Sequence, residues 1–247
     1  MALAIDASTP AIATQTNGAT ATVATASFTP PSSSLLLIRW SGNSQINTAP
    51  GAPSITDNLG AHLTYTLVDW QSRADSPTRD GQAATWWAVV GSSAAMTVTV
   101  TNAASSGNRH AALRVEVITG ADTTTPIGAH GKTGSVNTAA IAQSYTASAT
   151  SGWGRIVATD WDAGAAMTAG TGCTLEGSGT PGSAVTYGFV RRTTADDSVG
   201  VSNTLNVTLG ATSTNVAWTW SEVLPAAATT TSDPPRRRPQ MGALLQI

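Results

Sequence analysis

The chain has 247 residues, of which 41% are hydrophobic, 5% aromatic and only 11% charged, and its formal net charge is −2. Ordinary soluble domains carry roughly 25% charged residues, so the polar surface here is written in 40 Thr and 25 Ser, mixed with 42 Ala and 23 Gly. Lys132 is the one lysine and the eleven arginines are scattered or terminal, which excludes a basic stripe for nucleic acid; low net charge with recurrent Trp, Val, Leu and Ile excludes disorder, and no apolar run reaches the roughly 18 residues of a membrane span.

Met1-Ala-Leu-Ala-Ile-Asp6 has neither a basic start nor a sustained apolar run, so the expectation is synthesis in a cytosol without a secretory signal. The first predicted strand is Ala19–Phe28. Leu35-Leu-Leu-Ile-Arg-Trp40 follows, apolar on both faces and therefore read as a central strand covered on each side. His62–Trp70 is next, and Thr85-Trp-Trp-Ala-Val-Val90 is a second doubly covered strand. Met96-Thr-Val-Thr-Val-Thr101 alternates strictly, with Thr on the solvent face, where its β-branch suits extended backbone. Leu113, Val115 and Val117 alternate with Arg114 and Glu116, an arrangement that places Glu116 outward. Ala139–Ser148, Gly154–Trp161 and Ala184–Arg192 are further strands, with a short helix considered at Ala163–Thr168. Leu205, Val207 and Leu209 alternate with Asn206 and Thr208, and Thr214–Leu224 closes the series.

Turn clusters stand at Asn17-Gly18, Pro50–Pro53, Asp75–Pro77, Arg79–Gly81 and Gly177–Gly182. Ten or more strands at this spacing predict an all-β fold: an antiparallel β-sandwich of jelly-roll type over residues 1–225, with an extended C-terminal arm. No repeat of fixed period is visible. Residues 226–247 read as a Pro-stiffened linker, three arginines and an apolar end.

Few motifs carry chemistry. Gly131-Lys132-Thr133 has the end of a phosphate loop, but Pro126 occupies the position of its first glycine. Gly177-Ser-Gly179-Thr-Pro-Gly182 has dinucleotide-site spacing, yet a strand follows where a helix is needed. His62, His110 and His130 are not at metal-ligand spacings, and Glu116, Glu176 and Glu222 are the only glutamates. Asp160 and Asp162, or Asp69, are the best carboxylates for glycosidase work, and the first two for Ca²⁺; at a strand end such residues usually cap turns. Cys173 stands alone and reads as a small buried hydrophobe. No enzyme, cofactor or metal site is expected. Trp86 and Trp87 are adjacent in a strand and must face opposite ways. Trp86, Trp87, Asp160, Trp161 and Asp162 are the candidate glycan contacts. Arg236, Arg237, Arg238, Leu244, Leu245 and Ile247 are the candidate contacts of an arm that reaches a neighbouring subunit.

The run Phe28-Thr-Pro-Pro-Ser-Ser-Ser-Leu-Leu-Leu-Ile38 is followed by Pro53-Ser-Ile-Thr-Asp-Asn58, Ala84-Thr-Trp-Trp-Ala88 and the Thr/Val strand. Val117-Ile-Thr-Gly-Ala-Asp122, Pro126-Ile-Gly128 and a Trp-rich strand closing on Glu222-Val-Leu-Pro225 complete the order. In these features the chain resembles structural proteins of tailed bacteriophages, in particular minor tail or virion-surface proteins of actinobacteriophages. The likeness spans residues 1 to about 225. It implies a non-enzymatic virion protein, a minor tail or capsid-decorating protein made in the host cytoplasm. Its partners would be other virion proteins and copies of itself in a homo-oligomer, with no nucleic acid and no membrane. The alternative is a lectin-like module that binds a surface glycan.

Overall fold

A computed structural model describes residues 2–18, 22–44, 51–76, 79–102, 109–135, 138–161, 165–181, 185–213 and 215–227. Among these residues there are seventeen β-strands and no helix. The chain therefore forms the all-β, antiparallel sandwich architecture that its alternating segments predict. The helix considered at Ala163–Thr168 does not form where the chain is described: Ala165 to Met167 is irregular and Thr168 opens a two-residue strand. Residues 228–247, with the linker and arm contacts read from the sequence, lie outside the described residues.

The first half contains β1 (Ala4–Ile5), β2 (Ala13–Gly18), β3 (Thr22–Ala24), β4 (Leu35–Ser44), β5 (Ser54–Asp57), β6 (Thr66–Ser76), β7 (Arg79–Val89), β8 (Val98–Thr101) and β9 (Arg109–Thr119). They make one large sheet in the order β2-β9-β4-β7-β6, with β1 also on β9, and a small sheet in the order β3-β8-β5. The second half contains β10 (Ile127–Ser135), β11 (Thr138–Thr146), β12 (Trp153–Asp160), β13 (Thr168–Ala169), β14 (Cys173–Gly179), β15 (Thr186–Arg192), β16 (Ser202–Ser213) and β17 (Val216–Val223). Its sheets run β10-β17-β12-β15-β14 and β11-β16-β13. Raising each strand number of the first half by eight, β1 apart, gives the second half. The chain is two units of one topology in tandem. The repeat escapes the sequence because it lies in strand order and not in residue spacing.

The four sheets stack as four layers. The small sheet of the first unit covers one face of its large sheet, where Leu36, Ile38, Trp40, Trp86, Leu113, Val115 and Val117 meet Val98 and Val100. In the second unit Ile156, Ala158, Val190, Val216 and Trp218 meet Ile141, Leu205 and Val207 in the same way. The two large sheets then pack on each other. Leu35, Leu37 and Ile118 meet Val223 at one end of that seam, and Ala83 and Ala112 meet Val157, Phe189 and Ala217 at the other. This layering explains the sequence pattern. Strands of the large sheets are covered twice and are apolar on both faces, whereas outer strands such as β8 keep Thr on the wet face.

Some predicted turns are strand. Arg79-Asp-Gly81 opens β7, and Cys173–Gly179 is β14, so the Gly177 cluster begins inside a strand. The predicted strand His62–Trp70 starts only at Thr66. Ahead of it the Asp57 carboxylate accepts hydrogen bonds from the Leu59 and Leu63 amides, both at 2.9 Å, and holds the backbone in a loop. Gly131-Lys132-Thr133 lies in β10, opposite Trp220, Thr219 and Trp218 of β17.

The start of the chain, the link between units and the exit from β17 meet at one end of the stack. Ala121 bridges Pro225, the Asp122 amide donates to the Leu224 carbonyl at 3.0 Å, and the Ala226 amide donates to the Gly120 carbonyl at 2.8 Å. Gly120 has φ +74°, and a side chain there would collide with the Ala2 carbonyl, so only glycine fits.

Candidate functional site

Between its two apolar ends the seam is charged. Arg39, in the middle of the Leu35–Trp40 run, and Glu116 are both without solvent exposure. The Arg39 Nη2 group donates to Glu116 Oε1 at 2.6 Å and also to Glu176 Oε2. Its Nη1 group donates to the Ile156 and Val190 carbonyls at 3.1 and 3.3 Å, so one guanidinium ties the first unit to two strands of the second. Arg155 Nε reaches Glu116 Oε2 at 2.9 Å, and its guanidinium lies 4.9 Å from the Trp153 ring centroid. Arg114 and Arg191 complete the cluster at 3.7 Å from Glu116 and Glu176 respectively.

Four guanidinium groups thus share two carboxylates. Burial pushes Glu116 up, but the Arg155 and Arg39 charges override it and hold the carboxyl well below the ordinary range. Burial also raises Glu176, and with the adjacent Glu116 charge outweighs the pull of Arg39 and Arg155. The expectation that Glu116 faces solvent is overturned. Its strand is covered on both faces, so the alternation of Leu113, Val115 and Val117 marks one buried face and hides the other. The signal was Arg39: an arginine inside a doubly buried strand needs a buried acid nearby.

Neutral polar groups extend the seam. Thr85 and Thr219 hydroxyls meet at 2.8 Å across the two units, and the Thr159 hydroxyl donates to Ser41 Oγ at 2.6 Å.

At the end of the stack the surface opens into a groove of about 720 Å³ bordered by Leu3, Asp122, Trp153, Ala195, Leu224 and Pro225. Beyond Trp153 and Ala195 lies a smaller recess of about 120 Å³, bordered by Arg155, Arg191, Arg192, Thr193 and Thr194. Its rim is anchored by Asp196, a buried carboxylate that accepts from Tyr145 Oη at 2.9 Å and Arg192 Nη1 at 2.5 Å. Burial and the Asp196 charge push the Tyr145 hydroxyl far above its usual range, so it stays a donor. Glu222 ties β10 to the loop after β11 by accepting from the Ala129 amide at 3.1 Å and the Ser148 amide at 2.9 Å.

The candidate glycan residues are mostly interior. Trp86, at 3% exposure, packs into the first unit's core, and Asp160 and Trp161 are buried as well. They form no platform on which a sugar could stack, because β7 and β12 are central strands; Asp162 lies outside the described residues. Trp87 faces the other way, as adjacent strand residues must, and is half-buried. It borders a shallow depression with Leu67, Val68, Ile127 and His130, whose Nδ1 lies 2.7 Å from Asp69 Oδ2. Cys173 is half-buried, and its Sγ accepts from the Asn206 amide at 3.2 Å. Among the described residues no three His, Cys, Asp or Glu side chains gather into a metal site. The arm contacts Arg236, Arg237, Arg238, Leu244, Leu245 and Ile247 lie outside the described residues.

No family model matches the chain, and neither a curated protein nor a solved structure matches it.

Proposed function

We propose that the chain is a non-enzymatic structural protein of a tailed-phage virion, a minor tail or capsid-decorating protein that assembles through protein–protein contacts. The observation that carries this reading is where the charge lies. The chain has 12 basic and 14 acidic side chains. Arg39, Arg155, Asp57, Asp80, Glu116, Asp160, Asp196 and Glu222 are buried. The outer surface is therefore poorer in charge than the composition alone implies, and Thr-, Ser- and Ala-rich faces lose little hydration when another protein covers them. The recurring strand order, with sequence-distant strands as neighbours, supports reading each half as a jelly-roll-type unit. Partners are copies of the chain and other virion proteins, with the 226–247 arm as a contact element. Mass spectrometry of purified particles of the phage that encodes the chain tests the proposal. The chain is expected in fixed copy number, and a chain ending at residue 235 is expected to be lost from particles. Absence of the full chain from clean particles contradicts the reading.

Trp87 favours a second reading, glycan binding. A half-buried indole beside an imidazole–carboxylate pair is a site on which a sugar ring can stack and hydrogen-bond. Binding on a glycan array that Trp87→Ala abolishes with the fold intact supports it, and no binding by the intact protein dismisses it.

A further inference from the structure

We infer that the recess bordered by Arg155, Arg191 and Arg192 is an oxyanion site, built for a carboxylate or a tetrahedral oxyanion of phosphate size. Its charge is unbalanced. Among the described residues, Arg39, Arg114, Arg155 and Arg191 form one connected cluster with two carboxylates, Glu116 and Glu176. Arg192 is neutralised separately by Asp196 at 2.5 Å. The cluster therefore carries two guanidinium charges more than it has carboxylates.

Arg39 and Arg155 are buried and already use their acids at hydrogen-bond distance. Arg191 is different. Its side chain is 40% exposed, and its ion contact is 3.7 Å from Glu176 Oε1, too long for a hydrogen bond. Arg114 has an equally long contact to Glu116 but is 17% exposed, so the surplus positive charge reaches solvent chiefly at Arg191, in a recess of about 120 Å³. That volume suits a carboxylate, sulfate or phosphate and is too small for a sugar ring or a nucleotide.

The lining supplies the right donors. Guanidinium groups bind planar and tetrahedral oxyanions through paired N–H groups. Thr193 and Thr194 border the same recess and bring hydroxyl donors. Trp153 forms the wall towards the larger groove, and the Arg155 guanidinium stacks over its ring. The rim is held by the Tyr145–Asp196–Arg192 chain, so the donors are in place before an anion arrives. This inference stands apart from the virion reading, and its failure would leave that reading untouched.

The test is titration calorimetry of the full-length protein with sodium acetate, sodium sulfate and sodium phosphate, each against sodium chloride at matched ionic strength. Saturable one-site heat is expected with at least one oxyanion, together with a rise in Tm that chloride does not give. The anion that binds tells a carboxylate source from a tetrahedral one. Arg191→Gln is expected to weaken binding about ten-fold or more, while Lys132→Gln, at an exposed site on another strand, leaves it unchanged. No saturable heat with any of the three anions in the wild-type protein overturns the site. So does undiminished binding in Arg191→Gln.

Discussion

Arg39 and Glu116 pair at 2.6 Å on neighbouring strands, neither touching solvent, and through Arg155 and Glu176 the same pair joins the two units. A buried pair of this kind holds little net advantage over apolar packing, but removing one partner strands the other charge. Glu116→Ala is therefore expected to lower stability by about 3–5 kcal/mol, read from urea unfolding. A loss below about 1 kcal/mol would show that water relieves Arg39 and Arg155.

Thr85 and Thr219 test the neutral part of the seam. Their hydroxyls satisfy each other at 2.8 Å in a buried setting. Thr85→Val leaves the Thr219 hydroxyl without that partner and is expected to cost about 1–3 kcal/mol. The double change Thr85→Val with Thr219→Val removes both groups and is expected to cost less than either single change. A double-mutant cycle on unfolding free energies checks the sign.

Much of this was legible in sequence, and the reasons for the rest are physical. The Thr alternation of Met96–Thr101 gave β8 because one face of an outer strand is wet. Leu35–Trp40 and Thr85–Val90 were readable as doubly covered strands for the opposite reason. The burial of Glu116 is not legible locally, because a polar residue in an alternating strand looks solvent-facing unless its buried partner is known, and Arg39 is 77 residues away. The two-unit plan was hidden because strand order is a property of pairing, which no local pattern records. Trp86 and Trp87 could be assigned to opposite faces, but which face was covered by a sheet and which bordered the surface depended on layers formed by distant strands.

Trp86 and Trp87 separate those layers by energy. Trp86→Ala empties a site in the first unit's core and is expected to cost about 3–5 kcal/mol. Trp87, half-buried at the seam's edge, is expected to cost clearly less. Comparable losses in thermal or chemical unfolding would contradict the layer assignment.

Acid dependence falls on Asp57. Burial pushes its carboxyl up, but hydrogen bonds from His62, the Leu63 and Leu59 amides and Tyr65 outweigh it, so the folded-state value lies below the ordinary 3.8. A carboxyl with a depressed value contributes stability that is complete above 3.8 and is lost as the pH falls through the folded-state value. Asp57→Asn is expected to cost about 1.5–3 kcal/mol at neutral pH, with the gap to wild type closing in acid. A gap that stays constant down the acid limb would show that the charge on Asp57 is not what these donors recognise.

A surface this poor in charge is, as we propose, made to meet other protein. The mass of the purified full-length chain in solution, measured by sedimentation equilibrium, tests it most directly. A closed multiple of the 25.0 kDa chain is expected. A strict monomer of 25.0 kDa that also binds no partner protein would contradict it.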